Sequence, residues 1–319
     1  MDYSVIRSAA GLSKHQQQDA GWKKSVKTLW NSHWTADISL LLVALIWGST
    51  YSISKDIVAT IPVFEFLFIR FTLTVLLMLP FTVRLVWRAT AATWINGLIF
   101  GLFLLIIYSL ETFGVVYTSA SNAGFIISLC VVLVPIVDSI VYRKLPRISL
   151  MGAVLLSTVG TGLLTLKAAY VFNPGDFLIL GAALFRAIQM TVTKKLTEGK
   201  EIEPGALTTI QLLVVAVGAG IISFAQHPAS VQLSPKFWLI TGYLAVFATI
   251  FAFYVQLVMI RRTSPARVAL LLSSEPLFGA MFAMLLMGEH LSFGSLIGGA
   301  CIILGMIWGR RLQSEKNNS

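Results

Sequence analysis

A chain of 319 residues in which 56% are hydrophobic and only 12% charged, with mean hydropathy +0.82, has too little polar surface to cover a water-soluble globule. Its medium is a lipid bilayer. The formal charge of +10 would suit a nucleic acid, but the basic residues are spread between apolar stretches rather than gathered into one patch, which argues against that partner.

Residues 1–36 are polar, with Gln16 to Gln18 and a basic stretch at Trp22, Lys23, Lys24 and Lys27. A secretory leader needs a short apolar core and a cleavage site. Here the first apolar stretch starts near residue 36 at full membrane length, so the segment reads as a cytoplasmic tail, either a solvated extension or an amphipathic strip on the membrane surface. Stretches near the roughly 20 residues that span a hydrocarbon core then follow at 37–57, 62–82, 92–113, 119–141, 148–167, 174–194, 204–225, 236–258, 265–287 and 291–310. Such long, uniformly apolar segments are helices rather than alternating barrel strands. The expected fold is an all-α polytopic membrane protein of ten transmembrane helices. Five form a first repeat at 37–167 and five a second at 174–310, followed by a cytoplasmic tail at 311–319.

The halves echo one another. Asp37, Ala44, Leu45 and Lys55 recur as Asp176, Ala183, Leu184 and Lys194, while Thr118, Ser119, Ser128 and Gly160 recur as Thr263, Ser264, Ser273 and Gly305. An odd number of spans per repeat makes the second half enter the bilayer from the opposite side, the inverted arrangement of many secondary transporters. Basic residues orient the chain. With the N terminus cytoplasmic, 19 of the 24 Lys and Arg lie on the cytoplasmic side, Lys55, Lys167 and Lys236 lie opposite, and Arg70 and Arg186 fall inside spans. That is the positive-inside pattern, and it places both termini in the cytoplasm.

Along the chain, Trp47, Thr50, Tyr51 and Ser54 share a face of helix one, and Trp47 is the register mate of Arg186 in helix six. At 1.5 Å per residue, Arg70 in helix two lies about 12 Å deep, Arg186 about 18 Å and Glu275 in helix nine about 15 Å. Ionisable groups near the midplane face a protein interior or an aqueous cavity and pair with something. Arg70 either binds an anionic group or ties helix two to a carbonyl or an acid. Arg186 shares its face with Gln189 and Thr193, which favours a cavity lining. Glu275 either pairs with an arginine, binds an amine or carries a proton; Pro276 after it removes an amide and loosens the preceding turn. Thr208 with Gln211, and Phe253 with Gln256, are weaker candidates. Gly97 and Gly101, Gly294 and Gly298, and Gly305 and Gly309 let helices approach closely, within one chain or at a dimer seam.

No phosphate loop, His-Glu-x-x-His, Cys-x-x-Cys or Gly-x-Ser-x-Gly motif is present, and the four histidines are scattered. No enzyme activity, cofactor or metal is expected. Cys130 and Cys301 fall within helices four and ten, away from disulfide chemistry.

Leu45 to Thr50 (LIWGST), Arg70-Phe71, Tyr117 to Ser121 (YTSAS), Ser274 to Leu277 (SEPL) and Gly288 to Leu291 (GEHL), taken in order, resemble the EamA branch of the drug/metabolite transporter superfamily over about residues 37–310. The resemblance implies ten helices in two inverted repeats, a bacterial inner-membrane location and transport, often export, of amino acids or other small metabolites. The repeats differ where it matters. Cys130-Val131 stands where the second has Glu275-Pro276, so an asymmetric site is expected. The reading is a secondary transporter, monomeric or homodimeric, exporting a small amphipathic metabolite such as an amino acid by alternating access. Its substrate-binding candidates are Trp47, Tyr51, Arg70, Arg186, Gln189 and Glu275, with Glu275 also the coupling group. A multidrug or cation exporter is the alternative within transport. A polytopic enzyme or lipid-handling protein is the alternative outside it.

Overall fold

The structure is a computed structural model describing residues 33–58, 61–118, 120–146, 148–165, 173–226, 234–287 and 292–315. Most of the N-terminal tail, Lys167, the Gly288 to Leu291 motif and the side chain of Tyr51 lie outside the described residues. The chain divides into two units between Ser39 and Leu40. In the shorter unit, Ser39 Oγ donates to the Thr35 carbonyl at 2.7 Å. The cavity described below is lined entirely from the longer one.

Every regular element among the described residues is helical: α1 His33–Val58, α2 Val63–Trp87, α3 Ala91–Tyr117, α4 Ala120–Ser128, α5 Cys130–Tyr142, α6 Ile148–Thr165, α7 Pro174–Thr197 and α8 Pro204–Ala225. Then come α9 Pro235–Tyr243, a π-helical stretch Leu244–Phe251, α10 Ala252–Arg262, α11 Pro265–Leu272, α12 Glu275–Met287 and α13 Phe293–Glu315. Among the described residues, seven helical segments are long and apolar enough to cross a membrane, counting Asn122–Tyr142 and Pro235–Arg262 as one each. The apolar parts of α1 and α13 are shorter, Thr35–Thr50 and Phe293–Gly309. Several helix starts are capped by a side chain. Asn173 and Asp176 close a capping box on α7, and Glu203, Ser234 and Ser264 cap α8, α9 and α11 just before a proline.

The outer surface is apolar at Phe81, Ile140, Ile221 and Leu239, while Thr74, Thr161, Gln211 and Gln256 are buried. That inside-out polarity suits lipid, where side-chain hydrogen bonds and close backbone contact hold helices together. Thr209 Oγ1 donates to Thr82 Oγ1 at 2.9 Å between α8 and α2. The α6–α13 seam is symmetric. A Cβ on Gly160 would sit 2.6 Å from the Gly298 carbonyl oxygen, and one on its register mate Gly305 would sit 2.7 Å from that of Ala153, the mate of Gly298. Reciprocal contacts of this kind are what a two-fold relation between repeats produces. Gly97 and Gly101 of α3 likewise press on Ile210 and Val214 of α8, a packing contact within the chain.

Helices four and nine of the sequence reading are each broken in two. Ser128 Oγ bonds the Phe125 carbonyl at 2.6 Å before the α4–α5 break, and its mate Ser273 bonds the Leu270 carbonyl at 2.6 Å before the α11–α12 break. Leu129 N to the Ile126 carbonyl and Ser274 N to the Leu271 carbonyl, at 3.1 and 3.3 Å, repeat the same tight turn. The break therefore does not require Pro276, since Val131 holds its register position in the first repeat.

Candidate functional site

Within the longer unit a cavity of about 560 Å³, its open mouth included, is lined by Trp47, Thr50, Phe66, Arg70, Tyr108, Glu111, Thr112, Val115, Arg186 and Glu275. Four of the expected site residues, Trp47, Arg70, Arg186 and Glu275, meet there. Gln189 does not line it. Its Nε2 donates to the Phe100 carbonyl at 3.3 Å and ties α7 to α3.

Each wall follows from local structure. On α1, Gly48 lies so close to α12 that a Cβ would sit 2.7 Å from the Glu275 carbonyl oxygen. This brings Trp47 beside the break where Glu275 opens α12. A carboxylate suits that place, because the first turn of a helix exposes its amide groups. The Trp47 indole Nε1 donates to the Ala248 carbonyl at 2.9 Å, fixing the ring against the π-helical stretch. Across the cavity, the Arg186 guanidinium carbon lies 4.5 Å from the Trp47 ring centroid, and Arg186 Nη1 lies 4.0 Å from Glu275 Oε2. A direct charge-assisted hydrogen bond would be about 2.7–2.9 Å; this ion pair is set wider.

Arg70 stands apart. Its Nη2 donates to Thr249 Oγ1 at 3.0 Å, and Thr249 in turn donates to the Leu244 carbonyl at 2.8 Å, five residues back along the π-helical stretch. The guanidinium carbon lies 5.1 Å from the Tyr108 ring centroid and 5.4 Å from that of Phe71. Among the described residues, Arg70 Nε is buried without a hydrogen-bond partner.

Tyr108, Glu111, Thr112 and Val115 were not singled out from the sequence, although their spacing marks one helical face. Helix three is expected to end near residue 113, whereas α3 runs to Tyr117. Glu111 is thus about 9 Å inside the helix end. A further link between mates is Tyr108 with Phe253, whose ring centroids are 6.0 Å apart, while Phe253 also lies 5.7 Å from Trp47. On the far side of Arg186, Lys194 Nζ donates to the Arg261 carbonyl at 2.7 Å and Thr191 Oγ1 donates to Asp138 Oδ1 at 2.5 Å, tying α7 to α10 and α5.

Among the described residues, no group of three or more His, Cys, Asp or Glu is placed to hold a metal ion. The arrangement can instead hold a small molecule of mixed polarity: aromatic faces for an apolar body, two guanidinium groups and two carboxylates for its charges.

The sequence is similar to known proteins over most of its length. The model of the EamA-like transporter family matches residues 34–166 and again residues 173–308. An uncharacterized transporter of Archaeoglobus fulgidus is 30% identical over 293 residues, covering 90% of this chain and 88% of its own. A second from that organism is 25% identical over 280 residues, covering 84% and 94%. The uncharacterized transporter YcxC of Bacillus subtilis is 24% identical over 224 residues, covering 66% and 70%. The fold matches a protein of solved crystal structure with a TM-score of 0.74 at 17% identity, covering 89% of this chain and 99% of that one.

Proposed function

Because the chain belongs to the EamA-like transporter family, we propose that it is a secondary transporter exporting a small amphipathic metabolite, such as an amino acid, across a bacterial inner membrane by alternating access. The observation that carries this reading is the cavity itself, where Arg186, Glu275, Arg70 and Glu111 line one space with Trp47 and Tyr108. Paired opposite charges beside aromatic faces complement a zwitterion with an apolar side chain. The sequence has no nucleotide-binding motif, so an ion gradient or the substrate's own gradient drives the cycle, with Glu275 as the proton-carrying group.

Ten spans and cytoplasmic termini complete the reading. In that orientation Thr50, Phe66, Glu111 and Val115 belong to the outer half, while the ties from Lys194 to Arg261 and from Thr191 to Asp138 belong to the cytoplasmic half. These positions support an outward-facing arrangement, closed on the inside. Two acids in the lining favour a cationic substrate as the second reading; two arginines in the same lining weigh against it.

The experiment is a metabolite-excretion screen on overexpressing and deletion cells, followed by uptake of each hit and of ethidium into inverted vesicles. Protein-dependent uptake of an amino acid supports export of a zwitterion. Uptake of ethidium without any amino acid would transfer the function to the cation reading.

A further inference from the structure

We propose that Arg70 is the carboxylate-binding residue of the cavity, a role that deepens and rests on the reading of this cavity as the transport site. The two arginines differ in what surrounds them. Arg186 has Glu275 at 4.0 Å and the Trp47 face at 4.5 Å, so its charge is already answered. Arg70 is only 7% exposed, yet among the described residues no acid pairs with it; its sole hydrogen bond goes to neutral Thr249, and its Nε has no acceptor. A buried cation without a counter-charge is costly, and burial without an acceptor adds to the cost.

The surroundings hold the group still rather than neutralise it. Thr249 Oγ1 spends its own proton on the Leu244 carbonyl, so it meets Arg70 as an acceptor. Tyr108 and Phe71 flank the guanidinium at 5.1 and 5.4 Å. What is missing is one negative charge with planar, two-pronged acceptors, and the cavity is the side from which it can come, because Arg70 is part of the lining. A monoanionic carboxylate supplies one charge. A phosphate dianion would call for a second uncommitted cation, and Arg186 is engaged with Glu275. A ligand whose carboxylate sits on Arg70 has acidic and aromatic groups in the same lining for its ammonium and its apolar part.

The test uses the full chain in nanodiscs with sodium benzoate as probe, benzamide as the isosteric neutral control and constant ionic strength. Tryptophan fluorescence and thermal stability are followed together. Benzoate is expected to bind saturably and benzamide at least tenfold more weakly. Arg70→Gln should weaken benzoate at least tenfold and Arg70→Lys at least threefold, while Arg84→Gln, at the end of α2, leaves it unchanged. If Arg70→Gln does not fold, Arg70→Lys carries the test. A wild-type protein blind to benzoate, or an Arg70→Lys and Arg70→Gln pair that binds it as the wild type does, would overturn the proposal. Counterflow of a labelled amino-acid mixture in liposomes separates the two claims. Flux without an Arg70-dependent benzoate site removes this proposal and leaves transport standing; the site without flux keeps the carboxylate role and removes transport.

Discussion

Arg186 and Trp47 occupy the same position in the two repeats, and they meet: the guanidinium carbon lies 4.5 Å from the indole centroid. Residues related by a two-fold operation touch one another only at its axis. Here the axis carries an aromatic ring from one repeat and a cation from the other, so the symmetric frame holds a chemically asymmetric centre. Tyr108 against Phe253 repeats the relation one layer away.

Trp47 has two separable roles. Trp47→Phe keeps an aromatic face for Arg186 but loses the hydrogen bond to the Ala248 carbonyl, so stability should fall by about 1 kcal/mol while transport persists. Trp47→Ala removes the face and opens a void, costing about 3–5 kcal/mol and transport as well. Denaturation in detergent and flux in liposomes read the two effects.

The break before Glu275 is built by the serine turn that both repeats share. Pro276→Ala should therefore leave transport near wild type. Ser273→Ala, which loses bonds to the Leu270 carbonyl and to Ser157 Oγ at 2.8 Å, should lower stability by about 1 kcal/mol. Thermal unfolding of both variants checks the order of effects.

At the α6–α13 seam, Gly298→Leu forces a side chain into the Gly160 carbonyl, where even a Cβ would be 2.5 Å away. The expected outcome is a loss of at least about 1–3 kcal/mol. Gly124→Ala, with nothing within 4 Å, is the neutral control. Folded yield after extraction reads both.

The proposed orientation, with the ties at Lys194 and Thr191 in the cytoplasmic half, predicts which positions a reagent reaches from each side. In a background with Cys130 and Cys301 replaced by serine, Thr50→Cys, half-buried in the cavity lining, should react with a membrane-impermeant maleimide from outside the cell. Thr191→Cys, buried beside Asp138, should resist the same reagent in inverted vesicles.

Much of this was legible beforehand. Apolar length marks the helices, and the depth of Arg70, Arg186 and Glu275 marks the residues that line one cavity, because midplane charges have few places to go. Trp47 and Arg186 are register mates in the sequence as well. Gln189 shows where periodicity stops: it shares a face with Arg186, but the neighbouring α3 backbone presents the Phe100 carbonyl to it, and no pattern within α7 reports that. Glu111 escaped notice because its depth depends on where α3 ends, and helix ends are weakly encoded in a uniformly apolar run. The π-helical stretch that holds Arg70 and Trp47 is a hydrogen-bond choice made in tertiary context, without a residue signature of its own.

The most direct test of the account is flux of the substrate from the excretion screen into liposomes under an imposed pH gradient, comparing wild type, Arg186→Ala and Glu275→Gln at equal folded protein. The account predicts an apparent KM raised at least about tenfold, roughly 1.4 kcal/mol, for Arg186→Ala, and flux that no longer responds to the gradient for Glu275→Gln. An unchanged KM together with an unchanged response to pH would contradict it.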